Sequence, residues 1–436
     1  MTRMGLVLVA GYVSTVLAEG TRLRKCQVQP ASGDLRNDIK AAVEGLAPEL
    51  RKLRGKLTSV SVVTNAVMRA ILTAKELERV ALFRLSSPEG HDSPALLDPS
   101  IAKDALAHFF VLKGGHGFDG RIIGSPDTSE IQACYKKTQG SAETFVVSSP
   151  FSILFPDHER EAANQLTRYG AEQLWSSSEV SSMPSILNRE TTAILSAATS
   201  KIIENIEADA TRALADYGCK PVLYFGRNDG SIIGSALARR FPLETAWGIE
   251  GHSASGASRT RGLGRQIVVG ESGDRTWLAG AQNGRPVMRS ISYLRNMLVH
   301  VASPVIADFS SSASDEVKKT SFDLISELVG TKSALISGLS KEADFPFTAK
   351  LTANSPHLAA INAAMSAIKW ERAICVPNGS DMVKAEKHLR SWLSQEMKQA
   401  GARANTIKLG RVIQRPGVNL PEGAVTLTLQ ATGMPA

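Results

Sequence analysis

The chain is poor in the residues that announce common chemistries. Its four cysteines, Cys26, Cys134, Cys219 and Cys375, lie far apart with no CxxC pair. This excludes a zinc knuckle and a dithiol redox motif, and reduced structural thiols are expected. The eight histidines form no HExxH and no paired metal spacing. His158-Glu159-Arg160 therefore reads as a helix start rather than a ligand set, and neither metal nor cofactor is expected. No GxSxG elbow occurs, and Ser253 directly after His252 cannot pair with it as nucleophile and base without an unusual turn. No run reaches the ~18 apolar residues of a membrane span. Aromatics are only 6% of the chain and do not interleave with its basic clusters, Arg51-Lys52-Leu53-Arg54-Gly55-Lys56 and Arg259, Arg261, Arg265. The net charge of +8 thus reads as a solvated basic surface, with neither nucleic acid nor membrane as partner.

What is present is a globular composition, 43% apolar and 21% charged over 436 residues, with room for two domains. After Arg3, the run GLVLVAGYVSTVLA has the outline of a signal peptide. Ser14-Thr15 interrupts it, and the better reading is a strand Leu6–Val9, a turn at Gly11 and a strand Val13–Ala18 in a cytoplasmic protein. A helix is expected over 34–53, with Leu35, Ile39, Ala42, Val43 and Leu46 on one stripe. Strands follow at 60–63, 80–85, 109–112 and 145–147, with a Ser/Pro-rich loop at 86–100. Gly114-Gly115-His116-Gly117-Phe118-Asp119-Gly120 reads as a hairpin turn, because no helix follows to complete a phosphate site. Helices are expected over 157–174, 190–217 and 384–400, and strands over 221–225, 406–412 and 424–431. Strands alternating with helices give an α/β class. The polar stretch SSSEVSSMPS suggests a hinge, dividing the chain into 1–185 and 186–436.

One stretch poses the functional question. Ile267–Pro286, IVVGESGDRTWLAGAQNGRP, reads as a buried strand, a Gly-containing turn and a second strand ending at Asn283-Gly284. That is the outline of a phosphate-binding hairpin, yet Gly270, Asp274, Arg275 and Trp277 stand where such a hairpin needs a metal-binding carboxylate and small hydroxyls.

Several segments taken together resemble the hydantoinase A/5-oxoprolinase family nearly end to end. They are Thr64-Asn65-Ala66, Glu78–Leu85, Gly114-Gly115 with Asp119-Gly120-Arg121, Arg189-Glu190-Thr191-Thr192, Asn228-Asp229-Gly230, and Gly401-Ala402 with Gly433. The resemblance implies two RNase H-like domains of the actin, sugar kinase and Hsp70 type around a central cleft. It also implies ATP-driven opening of a cyclic amide, with glycine amides, hydroxyls and carboxylates holding phosphates and magnesium. The chain departs from the family at those positions. In the first loop the family aspartate falls on Leu8, a glycine on Ala10, the threonine on Tyr12 and the closing aspartate on Thr15. In the second loop, Gly270 replaces the first aspartate, Ser272 a glycine, Asp274 the threonine and Trp277 the closing aspartate. The Ser-Gly-Pro segment falls on Gly248-Ile249-Glu250. New carboxylates without a magnesium site disfavour a polyphosphate.

The nucleotide site is therefore expected to be broken. Tyr12, Trp247 and Trp277, with Glu271, either line a new apolar-ligand pocket in the inter-domain cleft or plug the obsolete one. His252, Asp274, Arg275, Asp229 and Glu250 are the expected catalytic set, all on strand-end turns facing the cleft. The expected activity is an ATP-independent isomerisation, cyclisation or cycloaddition on a mostly apolar small molecule, driven by positioning and by a donated hydrogen bond. The alternatives are an ATP-dependent cyclic-amide hydrolase, or a non-catalytic subunit scaffolding a hydantoinase B-type partner or a second copy.

Overall fold

The computed structural model of the chain describes residues 1–86, 96–262, 264–341 and 344–435. Most of the Ser/Pro-rich loop expected at 86–100 lies outside the described residues.

The first hairpin forms as read but longer, Thr2–Val9 antiparallel to Tyr12–Glu19. Gly11, at φ +107°, makes the tight reversal that a side chain would strain. Arg22–Pro30 adds to Tyr12–Glu19, while Leu57–Thr64 and then Val222–Gly226 add in parallel on the other side. Three antiparallel strands followed by two parallel ones is the RNase H-like order. The second unit repeats it. Arg265–Ser272 pairs antiparallel with Arg275–Gln282, which pairs antiparallel with Ile306–Ser310. Ala334–Ser337 and Ala349–Lys350 then continue in parallel beyond Arg265–Ser272. The α/β class with two such units is what the chain adopts.

The line expected at 185/186 is not a sheet boundary. The larger sheet takes Val222–Gly226, Ile232–Gly234, Ile368–Val376 and Val425–Gly433 from beyond it, alongside the N-terminal strands. A separate four-stranded parallel sheet, Val80–Ser86, Leu106–Lys113, Thr144–Ser148 and Leu174–Ser176, is inserted between Leu57–Thr64 and Val222–Gly226.

Other local readings shift. The expected helix over 34–53 is two, Leu35–Glu44 and Ala47–Lys52, interrupted at Gly45 and Leu46. The helix expected to reach 174 ends at Arg168, and Leu174–Ser176 becomes an edge strand. The glycine-rich stretch is a hairpin turn, with an antiparallel bridge from His116 to Ile122. The long helix Ile186–Ala215 runs through the core with Arg189 and Glu190 fully buried. Such buried charges are tolerated only when paired. Arg84 binds Glu190 through two short contacts, and Arg189 donates to Ser149, Met183 and Pro184 carbonyls. Among the described residues no helix is long and apolar enough to cross a membrane.

Candidate functional site

The two hairpins that would flank a nucleotide meet tip to tip. Gly273 takes φ +67° at the second reversal, and its N–H donates to the Ala10 carbonyl of the first at 3.3 Å. Beside this contact Asn65 Nδ2 donates to Ser272 Oγ at 2.7 Å. Glu271 is occupied locally, accepting from Ser340 at 2.8 Å and from Thr276 at 3.4 Å. A groove of about 510 Å³ remains along the tips, bordered by Gly11, Tyr12, Glu271, Gly273 and Lys341. A phosphate chain laid there would face the Glu271 carboxylate.

Behind the tips the space is filled. Trp277 pairs across the hairpin with Gly270 and is 1% exposed. A Cβ at Gly270 would lie 2.4 Å from the indole and 2.9 Å from the Ser337 carbonyl. Glycine is thus required there, and a carboxylate at that position would displace Trp277. Trp277 shares one core cluster with Tyr12, Val7, Val9, Val16 and Ile249. Burial raises the Tyr12 phenol above its ordinary range, so the phenol stays protonated. The indole Nε1 has no hydrogen-bond partner among the described residues, a buried donor costing about 1–3 kcal/mol. The aromatic volume offsets this, since burying one such side chain contributes roughly 1.5–3 kcal/mol.

Glu250, read as an added phosphate-repelling charge, is neutralised. It lies in the first turn of the helix Gly248–Arg261, 1% exposed, and accepts from Arg275 at 2.7 Å. Arg275 turns its Nε to Asp308 at 2.9 Å. Asp274 is exposed at the hairpin tip, where its carbonyl accepts from the Ser311 N–H at 2.6 Å.

His252 is in the same helix rather than on a strand-end turn, and it is fully buried. Its Nε2–H donates to the Ser231 carbonyl at 2.9 Å, and its Nδ1 accepts from Asn362 at 2.9 Å. Those partners assign the neutral Nε2–H tautomer, and burial lowers its pKa to about 4. Trp247 lies in a different core cluster from Tyr12 and Trp277, its backbone N–H donating to Asn228 Oδ1 at 2.8 Å. Asn228 ties this turn to the neighbouring chain by donating to the Leu243 and Ala302 carbonyls.

Asp229 belongs to a third place. Burial pushes its carboxyl up, but Arg227 at 3.3 Å, Lys369 at 3.1 Å and the bonds from Ser231 more than offset this and hold it far below the usual range. It lines a cleft of about 330 Å³ together with Arg227, Glu244, His300, Lys369 and Trp370. The expected residues therefore divide: Tyr12, Glu271, Asp274, Arg275, Glu250 and Trp277 gather about the hairpins, Asp229 faces the other cleft, and His252 and Trp247 are packed away from both. Arg227 was legible beside Asn228-Asp229-Gly230, but Lys369 and His300 arrive from distant segments with no local motif. Among the described residues no three or more His, Cys, Asp and Glu are grouped to hold a metal ion.

Two RNase H-like units with facing hairpins define the actin-like ATPase fold. Residues 15–170 match the hydantoinase/oxoprolinase N-terminal region. By sequence no curated protein matches it. Among solved structures it is similar to the nucleotide-free acetone carboxylase of a study on ATP-dependent acetone carboxylation, at 12% identity and a TM-score of 0.71, over 100% of this chain and 88% of that one. It is equally similar to an ATP-dependent caprolactamase from Pseudomonas jessenii, at 13% identity and a TM-score of 0.72, over 99% of this chain and 87% of that one.

Proposed function

We propose that this protein, similar to the hydantoinase/oxoprolinase family in its N-terminal region, is an enzyme that works without nucleotide. It acts on a mostly apolar small molecule by positioning and polarisation, in an isomerisation, cyclisation or cycloaddition. One observation carries the reading: Trp277 fills the space behind two hairpin tips that hydrogen-bond to each other through Gly273 and Ala10. The Arg275–Glu250 pair supports it, because the arginine beside the hairpin is held by a buried carboxylate instead of being free for phosphate.

The ATP-dependent cyclic-amide hydrolase is the second reading, favoured by the full-length likeness to an ATP-dependent caprolactamase. A scaffold subunit is the third. Val317, Leu324 and Leu328 are 46%, 64% and 56% exposed on one stripe of the helix Asp315–Val329, a face suited to a partner chain. Incubation with 5-oxoproline and Mg-ATP separates the first two. The proposal expects phosphate release equal to the substrate-free blank, and substrate-dependent phosphate release would overturn it.

A further inference from the structure

We propose that the cleft beside Asp229 is a binding site for a small uncharged carbonyl compound. The carbonyl oxygen lies between Lys369 and His300, and the body of the ligand lies against Met288, Ala302 and Val180, next to Trp370. The cleft, of about 330 Å³, falls at the small end of the range for small-molecule sites. It opens beyond the end of the strand Val222–Gly226, beside Ile368–Val376, where α/β folds commonly place ligands. Ser178–Ser182 border it on one side, and Met288, Ser290, His300 and Ala302 on another.

Its charges are largely spent on one another. Arg227 pairs with Asp229 at 3.3 Å and Glu244 at 2.6 Å, and Lys369 pairs with Asp229 at 3.1 Å. Arg372 is held by both oxygens of Glu396, and Glu179 by Arg240. Two cations balanced by two carboxylates, with Glu371 also on the wall, disfavour an anionic ligand. Two donors remain unspent. The Lys369 ammonium has three N–H groups and only Asp229 as partner among the described residues. The His300 ring has no hydrogen-bond partner among them, while its backbone N–H is fixed on Thr192 Oγ1 at 3.0 Å. Burial lowers the His300 pKa to about 4, leaving a neutral imidazole with one N–H to give. Two donors facing a cleft with little net charge fit a neutral acceptor oxygen. The aromatic part of the wall is built firmly and is almost fully buried: Trp370 and Phe241 meet at 5.1 Å, Arg227 and Arg372 lie over the Trp370 ring at 5.0 and 5.4 Å, Arg372 lies over Phe241 at 4.4 Å, and the Trp370 indole N–H is tied to Glu396 at 2.9 Å.

The site takes its functional meaning from the nucleotide-independent reading, but its test contains no nucleotide, so each can fail without the other. Protein labelled with ¹⁵N at the indoles is titrated with benzamide, and the Trp370 signal is assigned through Trp370→Phe. A saturable shift of that signal is expected. Benzoate, with the same ring and a carboxylate, binds at least about tenfold more weakly, and Lys369→Met and His300→Phe each weaken benzamide by at least about tenfold, the loss of one good hydrogen bond. His300→Phe removes no charge, so it carries the test if Lys369→Met fails to fold. An unmoved Trp370 signal up to the solubility limit of benzamide, benzoate binding as tightly, or unchanged affinity in the folded variants overturns the proposal.

Discussion

The N–H of Gly273 and the carbonyl of Ala10 face each other across 3.3 Å, joining two hairpin tips that come from opposite units of the fold. In the family resemblance these tips are the places where phosphates are gripped. Here the Gly273 N–H, a donor of the kind that binds phosphate, is given to the opposite tip instead, and Tyr12 and Trp277 fill the volume behind. The closed arrangement follows from side-chain size and from the glycine at 270 that admits the indole.

Trp277→Ala is expected to destabilise the protein by about 3–5 kcal/mol, the cost of deleting a fully buried aromatic and leaving a cavity. Urea unfolding of the variant and the parent measures this. A change within about 0.5 kcal/mol, as for a surface residue, would show that the indole does not fill the core between the hairpins.

Arg275→Met leaves Glu250 buried without its partner, and breaking such a pair costs about 3–5 kcal/mol. The double variant Arg275→Met with Glu250→Gln removes the stranded charge and is expected to recover most of the loss. A double-mutant cycle on unfolding free energies gives the coupling, and simple additivity of the two changes would contradict the pairing.

The buried His252 makes stability depend on pH. Its folded pKa of about 4 lies below its ordinary 6.5, so the unfolded chain binds the proton first. The stability it contributes is fully present above about pH 6.5 and is lost as pH falls toward about 4. The shift corresponds to about 3 kcal/mol at most. His252→Gln is therefore expected to flatten the fall in stability between pH 6.5 and pH 4. Parallel curves for the two proteins would show the imidazole protonated in the fold.

Much of this arrangement was legible in sequence. Both hairpins announced themselves through glycine turns between apolar runs, and Trp277 stood out as a bulky residue in a phosphate-type turn. The helix Gly248–Arg261 did not, because its glycines and serines are weak helix formers. Tertiary contact overrides that preference. A Cβ at Gly251 would meet the Asn228 carbonyl at 2.0 Å, and one at Gly256 the Leu358 carbonyl at 2.0 Å. The same helix carries Glu250 and His252 away from the turn where they were expected. The pairing of Ile368–Val376 with Ile232–Gly234, which brings Lys369 toward Asp229, spans more than a hundred residues and leaves no local pattern to read.

Isothermal titration with Mg-ATP at millimolar concentration asks directly whether this chain still holds a nucleotide. Joined hairpin tips and a buried Trp277 predict no saturable heat. A dissociation constant below about 100 μM, roughly −5.5 kcal/mol, would contradict the closed cleft and return the ATP-dependent hydrolase to first place.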